Sequence, residues 1–467
     1  MCDMHLLKIA LMRMGILLGL GAMVPEWAMG QEAGAPVARE NGSVTIPDTP
    51  AGKQLTWFLG VLSGESPEGV GEHMAESFKG FIKPNVLAMQ LGYVSSTTLG
   101  GGPAVIDRLD PASGAGRISG RIRSEANGAV MSFWLSVEEG TGLIDGLSNQ
   151  LLHGAGANAA KTWAELDARL DELPGEVYVF AAEVGEDGAL RPIHVRNGGT
   201  RLGTGSTFKL YVLGALAEKV AAGEAAWDEG LAIRDEWKSL PSGVMQLDPA
   251  GTEHPLSEYA LKMISISDNT ATDHLMMFVG RERVEAYMSR LHGEASRNIP
   301  MLTTREFFTM KLTEDRTLAE RYSEADVATK RAMLAPEGEV GRATPNLLAA
   351  ALWKKPVWID RIEWFATGEE CARAMLEVDR LSRLPGNGPA GAAIRANPGI
   401  GFDRKVWKGV AFKGGSEVGV INLTWLLDRA DGRRFVLSFG WNDPKNPVSD
   451  MESVEFAGSA AVMLQSE

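Results

Sequence analysis

Ser206 and Lys209 stand three residues apart in GTGSTFKLYVL (203–213), where a glycine-broken stretch gives way to an apolar helical run. At i and i+3 on a helix they share one face, one turn apart. A serine hydroxyl attacks only when a base lies within hydrogen-bond reach, and a lysine becomes that base once burial or nearby positive charge lowers its pKa. The helix start adds backbone N–H groups and the positive end of the dipole, both favourable to a developing oxyanion. Against this, a Ser-x-x-Lys pair arises about once by chance in a chain of this length, and Ser206 can equally be a helix cap. No other lysine of the chain has a serine three residues before it.

Two further stretches carry chemistry-bearing residues. MISISDNTATDHLM contains Ser267-Asp268-Asn269, which reads either as a helix cap or as a hydroxyl that relays a proton beside an amide that holds a substrate's acyl side chain. VAFKGGSEVGVINL places Lys413-Gly414-Gly415-Ser416 at the start of an extended run. Two glycines in a strand mark either a bulge or turn, or a place where another chain, such as a substrate along the strand edge, comes close to the backbone.

Taken in order, these stretches resemble the Ser-x-x-Lys, Ser-Asp-Asn and Lys-Thr-Gly motifs of the serine β-lactamase and penicillin-binding protein superfamily. Ser206 and Ser267 are 61 positions apart, close to the class A β-lactamase interval. ATPNLLAAAL (343–352) also looks like the Thr-Pro-led helix of class A enzymes, with Pro345 at a favoured first helical position. The resemblance covers 175–467 and implies an α/β (α+β) fold, an antiparallel sheet flanked by helices. It implies Ser206 as nucleophile, Lys209 as base, Ser267 as proton relay with Lys413 in electrostatic support, and Asn269 orienting the substrate. Gly415 and Ser416 line the substrate strand, and the amides of Ser206 and Ser416 form an oxyanion hole.

The chain departs from that pattern in three places. The interval from Ser267 to Lys413 is longer than in class A enzymes, so an insertion is expected between Thr313 and Ile400. Lys-Thr-Gly has become Lys-Gly-Gly, which removes a hydroxyl that helps bind the substrate carboxylate. The Glu-x-x-Leu-Asn that positions the deacylating water is absent; the corresponding NIPMLTTREFFTMKL has Glu306 as its one carboxylate, better explained as a capping box with Thr303. Acylation without rapid β-lactam turnover is the expected outcome, giving a weak β-lactamase or esterase. The alternative is a non-turnover sensor or scaffold.

The remaining sequence bounds the partners. Lys and Arg number 46 against 60 Asp and Glu, a formal charge of -14, and no basic run is present, which argues against a nucleic-acid partner. A small-molecule ester, β-lactam or peptidoglycan-like amide is expected instead. Seven histidines occur singly, with no pair at metal-ligand spacing, so neither metal nor other cofactor is expected. Residues 1–30 read as a secretory signal, with Lys8 and Arg13 before the apolar stretch Met14 to Val24 and small residues Ala28-Met29-Gly30 ahead of Gln31. Cleavage would leave Cys371 as the one cysteine and no membrane span, and a periplasmic or secreted location is expected.

Residues 31–48, rich in Gly, Ala, Pro, Glu and Asn, read as a disordered tail without a buried face. From 49 to 150 the pattern is helical and then extended through AVIDRL, GRISGRIRS, AVMSFWLSV and TGLIDGLS, a small α+β unit. HGAGANAAKT and the helix WAELDARLDELPG make a linker over 151–174, and the second domain follows. The whole is similar to two-domain β-lactamase-like proteins related to one in the clavulanate pathway, whose N-terminal domain resembles cystatin-like steroid isomerase or polyketide cyclase folds. In that domain His73 and Asp107 are available but read as an ordinary surface histidine and strand-end aspartate. Near the C-terminus, Ser449 and Glu452 fit a capping box.

Overall fold

The computed structural model describes residues 39–40, 43–99, 101–110, 113–126, 129–152, 160–315, 317–344, 353–403 and 405–467. The signal-like segment, residues 153–159 of the linker and residues 345–352 of the helix expected to start at Pro345 lie outside them. The chain divides into two compact units, one running to Ala159 with Ile400–Phe402 added, the other taking Ala160–Gly399 and Asp403–Glu467.

In the first unit, helix α1 (Pro50–Leu62) starts where Thr49 accepts the Gly52 N–H and Pro50 occupies the first turn. Leu55, Phe58, Val61 and Leu62 recur at helical spacing and are buried. Helices α2 (Glu76–Phe81) and α3 (Pro84–Tyr93) follow. A four-stranded antiparallel sheet then runs in order β1 (Ala104–Leu109), β2 (Arg117–Ser124), β3 (Val130–Val137), β4 (Ile144–Leu152). Alternation makes one face of β3 apolar: Met131, Phe133, Leu135 and Val137 are buried with Ile118 and Ile122 of β2. The tail expected over 31–48 is shorter than its composition indicates. Arg39–Glu40 pairs with Ser43–Val44, and Val44 and Ile46 pack on this core, so two apolar residues order a polar stretch.

The second unit is built on a five-stranded antiparallel sheet in the order β9 (Trp407–Glu417), β10 (Val420–Arg429), β11 (Arg434–Asn442), β5 (Glu176–Val184), β6 (Leu190–Arg196). The first and last segments of the domain thus share one sheet, and β9 is an edge strand. Helix α4 (Trp163–Leu170) opens this unit, capped by Thr162. Between β6 and β9 lie the elements that carry the motifs. They are strand β7 (Leu202–Gly203), helices α5 (Lys209–Ala221), α6 (Leu256–Ser265), α7 (Asn269–Val279), α8 (Arg281–Leu291) and α9 (Thr304–Leu312), strand β8 (Phe365–Ala366), and helices α10 (Gly368–Ser382) and α11 (Gly388–Arg395). Among the described residues between α9 and β8 are the short helices Leu318–Glu324, Val327–Leu334 and Glu339–Arg342.

Helix α5 is the centre of this unit. Every residue from Lys209 to Ala217 is buried, so the helix is enclosed on all sides rather than on one stripe. Strand β7 pairs with β8, and the helix after β8 is α10, led by Thr367 and Glu370 in a capping box. Helix α12 (Asp450–Met463) closes the chain. Ser449 caps it through the Glu452 N–H, but no reciprocal bond from Glu452 completes the box expected there. No described helix is long and apolar enough to cross a membrane.

Candidate active site

Gly205–Phe208 forms a single 3-10 turn that runs into α5 at Lys209. In that geometry residues i and i+3 eclipse, so Ser206 and Lys209 lie on one side. Ser206 is partly exposed, whereas Lys209 has no exposed surface. Among the described residues Ser206 Oγ has no hydrogen-bond partner. The Ser206 loop is fixed from behind instead. Asn442 Oδ1 accepts the Gly203 N–H at 2.7 Å, and the Trp364 carbonyl accepts the Thr204 N–H at 2.8 Å and its hydroxyl at 2.9 Å. Phe208 stacks on Trp364, ring centroids 3.8 Å apart.

Ser267 has a left-handed backbone, φ 57°, an uncommon state for a residue with a Cβ and one that collects at functional sites. That turn presents both its carbonyl and its hydroxyl to Lys209. Nζ donates to Ser267 O at 2.7 Å, Ser267 Oγ at 3.1 Å and Asn269 Oδ1 at 2.7 Å. From the strand side, Lys413 Nζ reaches Ser267 Oγ at 3.2 Å and the Gly414 carbonyl at 2.5 Å. Ser267 Oγ therefore bridges two buried lysines. Burial lowers the Lys209 pKa to about 7, with the charges of Asp268 and Asp273 pulling the other way. Burial and then the charge of Lys209 push Lys413 well below its ordinary value. As a neutral amine Lys209 keeps two N–H groups and gains a lone pair, which suits it to take a proton at neutral pH.

Asp268 supplies the cap of α7, accepting the Ala271 N–H at 2.8 Å, and its other oxygen takes the amides of Val244 at 2.6 Å and Met245 at 2.9 Å. The cap and the site thus coexist in one tripeptide. Asn269 sits against the Lys209 amine. It is 3% exposed, its Oδ1 is on Lys209, and its Nδ2 donates to Leu240 O at 3.2 Å, so each end of the amide already has a partner. Its position orients Lys209.

The two glycines of β9 form neither bulge nor turn, since Gly414 and Gly415 pair in register with Leu423 and Asn422. The close approach comes from the chain itself. A Cβ on Gly415 would lie 2.1 Å from Thr204 O and 2.3 Å from Ser206 N, and one on Gly205 would lie 2.7 Å from Ser416 N. Glycine at 415 therefore lets the Ser206 loop pack directly against β9 beside Ser416.

Glu306 is engaged in structure. It completes the capping box, Thr303 Oγ1 accepting the Glu306 N–H at 3.2 Å and Glu306 Oε2 the Thr303 N–H at 2.8 Å. It also forks onto Arg281, at 2.6 and 2.9 Å. His73 stacks on Trp57, centroids 4.1 Å apart, and pairs with Gln54 Oε1 at 2.9 Å; Asp107 is exposed on β1. No hydrogen bond or ion pair joins His73 to Asp107 among the described residues. Nor is any group of three or more His, Cys, Asp or Glu side chains arranged there to hold a metal ion.

Sequence reasoning missed three residues beside this site, Lys311, Glu363 and Glu417. Glu363 Oε2 accepts the Gly205 N–H at 3.2 Å, immediately before Ser206.

Residues 161–362 match the family model described as the beta-lactamase enzyme family. The matched stretch holds Ser206, Lys209, Ser267 and Asn269, ends before Lys413, and supports a β-lactamase-like fold for this unit. Solved structures similar to the chain include a beta-lactamase from Sphaerobacter thermophilus, with 20% identity over 65% of this chain and 96% of that one, TM-score 0.44. Others are beta-lactamases from Desulfarculus baarsii, with 17% identity, 64% and 94% covered and TM-score 0.43, and from Chitinophaga pinensis, with 17% identity, 65% and 98% covered and TM-score 0.43. No curated protein matches the chain.

Proposed function

We propose that the protein is an exported serine hydrolase that works through an acyl-enzyme on an ester, a β-lactam or a peptidoglycan-like amide. The observation that carries this reading is Lys209, buried without a carboxylate in hydrogen-bond contact, its pKa lowered to about 7, one turn from a partly exposed Ser206. When substrate binds, neutral Lys209 comes within hydrogen-bond reach of Ser206 Oγ and takes its proton as Oγ attacks the carbonyl carbon. The amides of Ser206 and Ser416 hold the oxyanion, and Ser267 Oγ, between Lys209 and Lys413, passes the proton to the leaving group. Water then releases the acyl group slowly, because Glu306 is spent on a helix cap and on Arg281. The same observation favours a second reading, a sensor that holds its acyl group.

Intact-mass spectrometry after incubation with a fluorescent penicillin and a chromogenic ester tests both. A transient adduct with released product supports the hydrolase, and a lasting adduct supports the sensor. Ser206→Ala is expected to abolish the adduct; undiminished labelling of that variant refutes the assignment.

A further inference from the structure

A second buried ionic cluster lies behind the Ser206 loop. Lys311, at the end of α9, donates to Glu417 Oε1, and neither side chain is exposed beyond 2%. Lys311 also sits 4.3 Å from the Phe307 ring centroid and 5.9 Å from that of Trp353. Glu363, in the segment leading to β8 and 4% exposed, accepts the amides of Gly205 at 3.2 Å and Trp364 at 2.8 Å through Oε2. The other two oxygens, Glu363 Oε1 and Glu417 Oε2, are buried with no partner among the described residues.

Two buried carboxylates and one lysine leave one negative charge too many, and each orphan oxygen is itself costly. One proton resolves both. Placed on Glu417 Oε2, it donates to Glu363 Oε1 and leaves one carboxylate against one ammonium. Burial raises both carboxyls, Glu417 well above the ordinary range, with the charge of Glu363 adding to the effect.

We propose that Lys311, Glu417 and Glu363 form a proton-bridged clip that positions the oxyanion hole. Glu363 holds the amide just before Ser206, and Glu417 directly follows Ser416, so the clip ties together the two chain segments whose amides face the oxyanion. It also fixes Trp364, which carries Thr204 on its carbonyl and stacks on Phe208. These are positioning residues, and the proposal rests on the acyl-transfer reading above.

The test compares variants by their rate constant of acylation by a fluorescent penicillin, their apparent penicillin affinity, and amide hydrogen exchange in the peptide spanning 203–208. Glu363→Ala frees the Gly205 amide, so exchange there should accelerate. The acylation rate constant should fall by about 100-fold, the scale of a 1 Å misplacement, with affinity little changed. Glu363→Gln and Glu417→Gln each supply one N–H across the gap and should retain both properties. The double Gln variant cannot, because with two amides one donor always faces Lys311, the Gly205 N–H or the other amide's N–H. It should behave as Glu363→Ala does, and it carries the test if the alanine variant does not fold. Wild-type rate and exchange in both damaged variants, or single Gln variants as impaired as the double, would overturn the clip. A wild-type protein that never acylates refutes the acyl-transfer reading instead, and exchange at 203–208 still decides whether the clip exists.

Discussion

Lys209 and Lys311 are both buried, at 0% and 2% exposure, yet their surroundings set them to opposite tasks. Lys311 sits against a carboxyl group, Glu417, and two aromatic faces, so it has an ion-pair partner and two cation–π contacts. Lys209 has only neutral partners within hydrogen-bond distance, a carbonyl, a hydroxyl and an amide oxygen, and burial brings its pKa down to about 7. A cation desolvated without a counter-charge readily gives up its proton. The choice of partner, and not burial, separates a lysine that can serve as a base from one that anchors.

The largest expected effect comes from deleting the base. Lys209→Met should lower the acylation rate constant by about 100- to 10,000-fold, the range for positioned proton transfer. Stability should move the other way. The folded pKa near 7 lies below the ordinary 10.5, so between these values the unfolded chain holds a proton the folded one lacks. Wild-type stability therefore falls as pH drops through that window, by about 1.4 kcal/mol per unit, and levels off below it. Denaturant titrations from pH 10 to 7 should show this slope reduced in Lys209→Met; an equal slope in both proteins would contradict the assignment.

A subtler change makes Lys209 resemble Lys311. Asn269→Asp places a carboxylate where the amide oxygen now meets Nζ at 2.7 Å. Wild-type acylation should rise with pH through about 7 and then level off, as Lys209 becomes neutral. The aspartate favours the ammonium, so the midpoint should climb by about 1–3 units and the rate at neutral pH should drop about 10- to 1,000-fold. A stopped-flow pH profile decides it, because a midpoint that stays in place would mean that Lys209 is not the titrating base.

This contrast also marks what the sequence could reveal. Ser206, Lys209, Ser267 and Lys413 were legible because each belongs to a short motif whose chemistry is local, and the order of the motifs reproduces a known arrangement. Strands β2 and β3 were legible from alternation, and the start of α9 from Thr303 and Glu306. The clip was not. Lys311 and Glu417 lie 106 positions apart, each as a single charge in an otherwise ordinary stretch, and only folding makes them partners. Strands β7 and β8 have two residues each, too few for any periodicity to register, and β6 reads LRPIHVR, with a proline and three basic side chains masking its alternation. The helix following β8 begins at Gly368, after Thr367, and GEECARAMLEVDRLS carries an apolar stripe at helical spacing that does mark it in the sequence.

Glu306 supplies the smallest effect and the sharpest limit on the comparison, because it is the one carboxylate in the stretch where a deacylating base would be sought. If its role is the one its bonds describe, Glu306→Gln removes charge from a fork with Arg281 while leaving one oxygen for the cap. Both side chains of the pair are largely buried, at 16% and 12% exposure, so the loss should be about 1–3 kcal/mol, read as a lower denaturation midpoint. Acylation and deacylation rate constants should match the wild type, since neither Lys209 nor Ser206 touches Glu306 through any hydrogen bond among the described residues. A selective fall in deacylation with acylation intact would instead make Glu306 the base that activates water, and would place a third kind of buried charge, an anion held by arginine yet catalytically engaged, beside the two lysines.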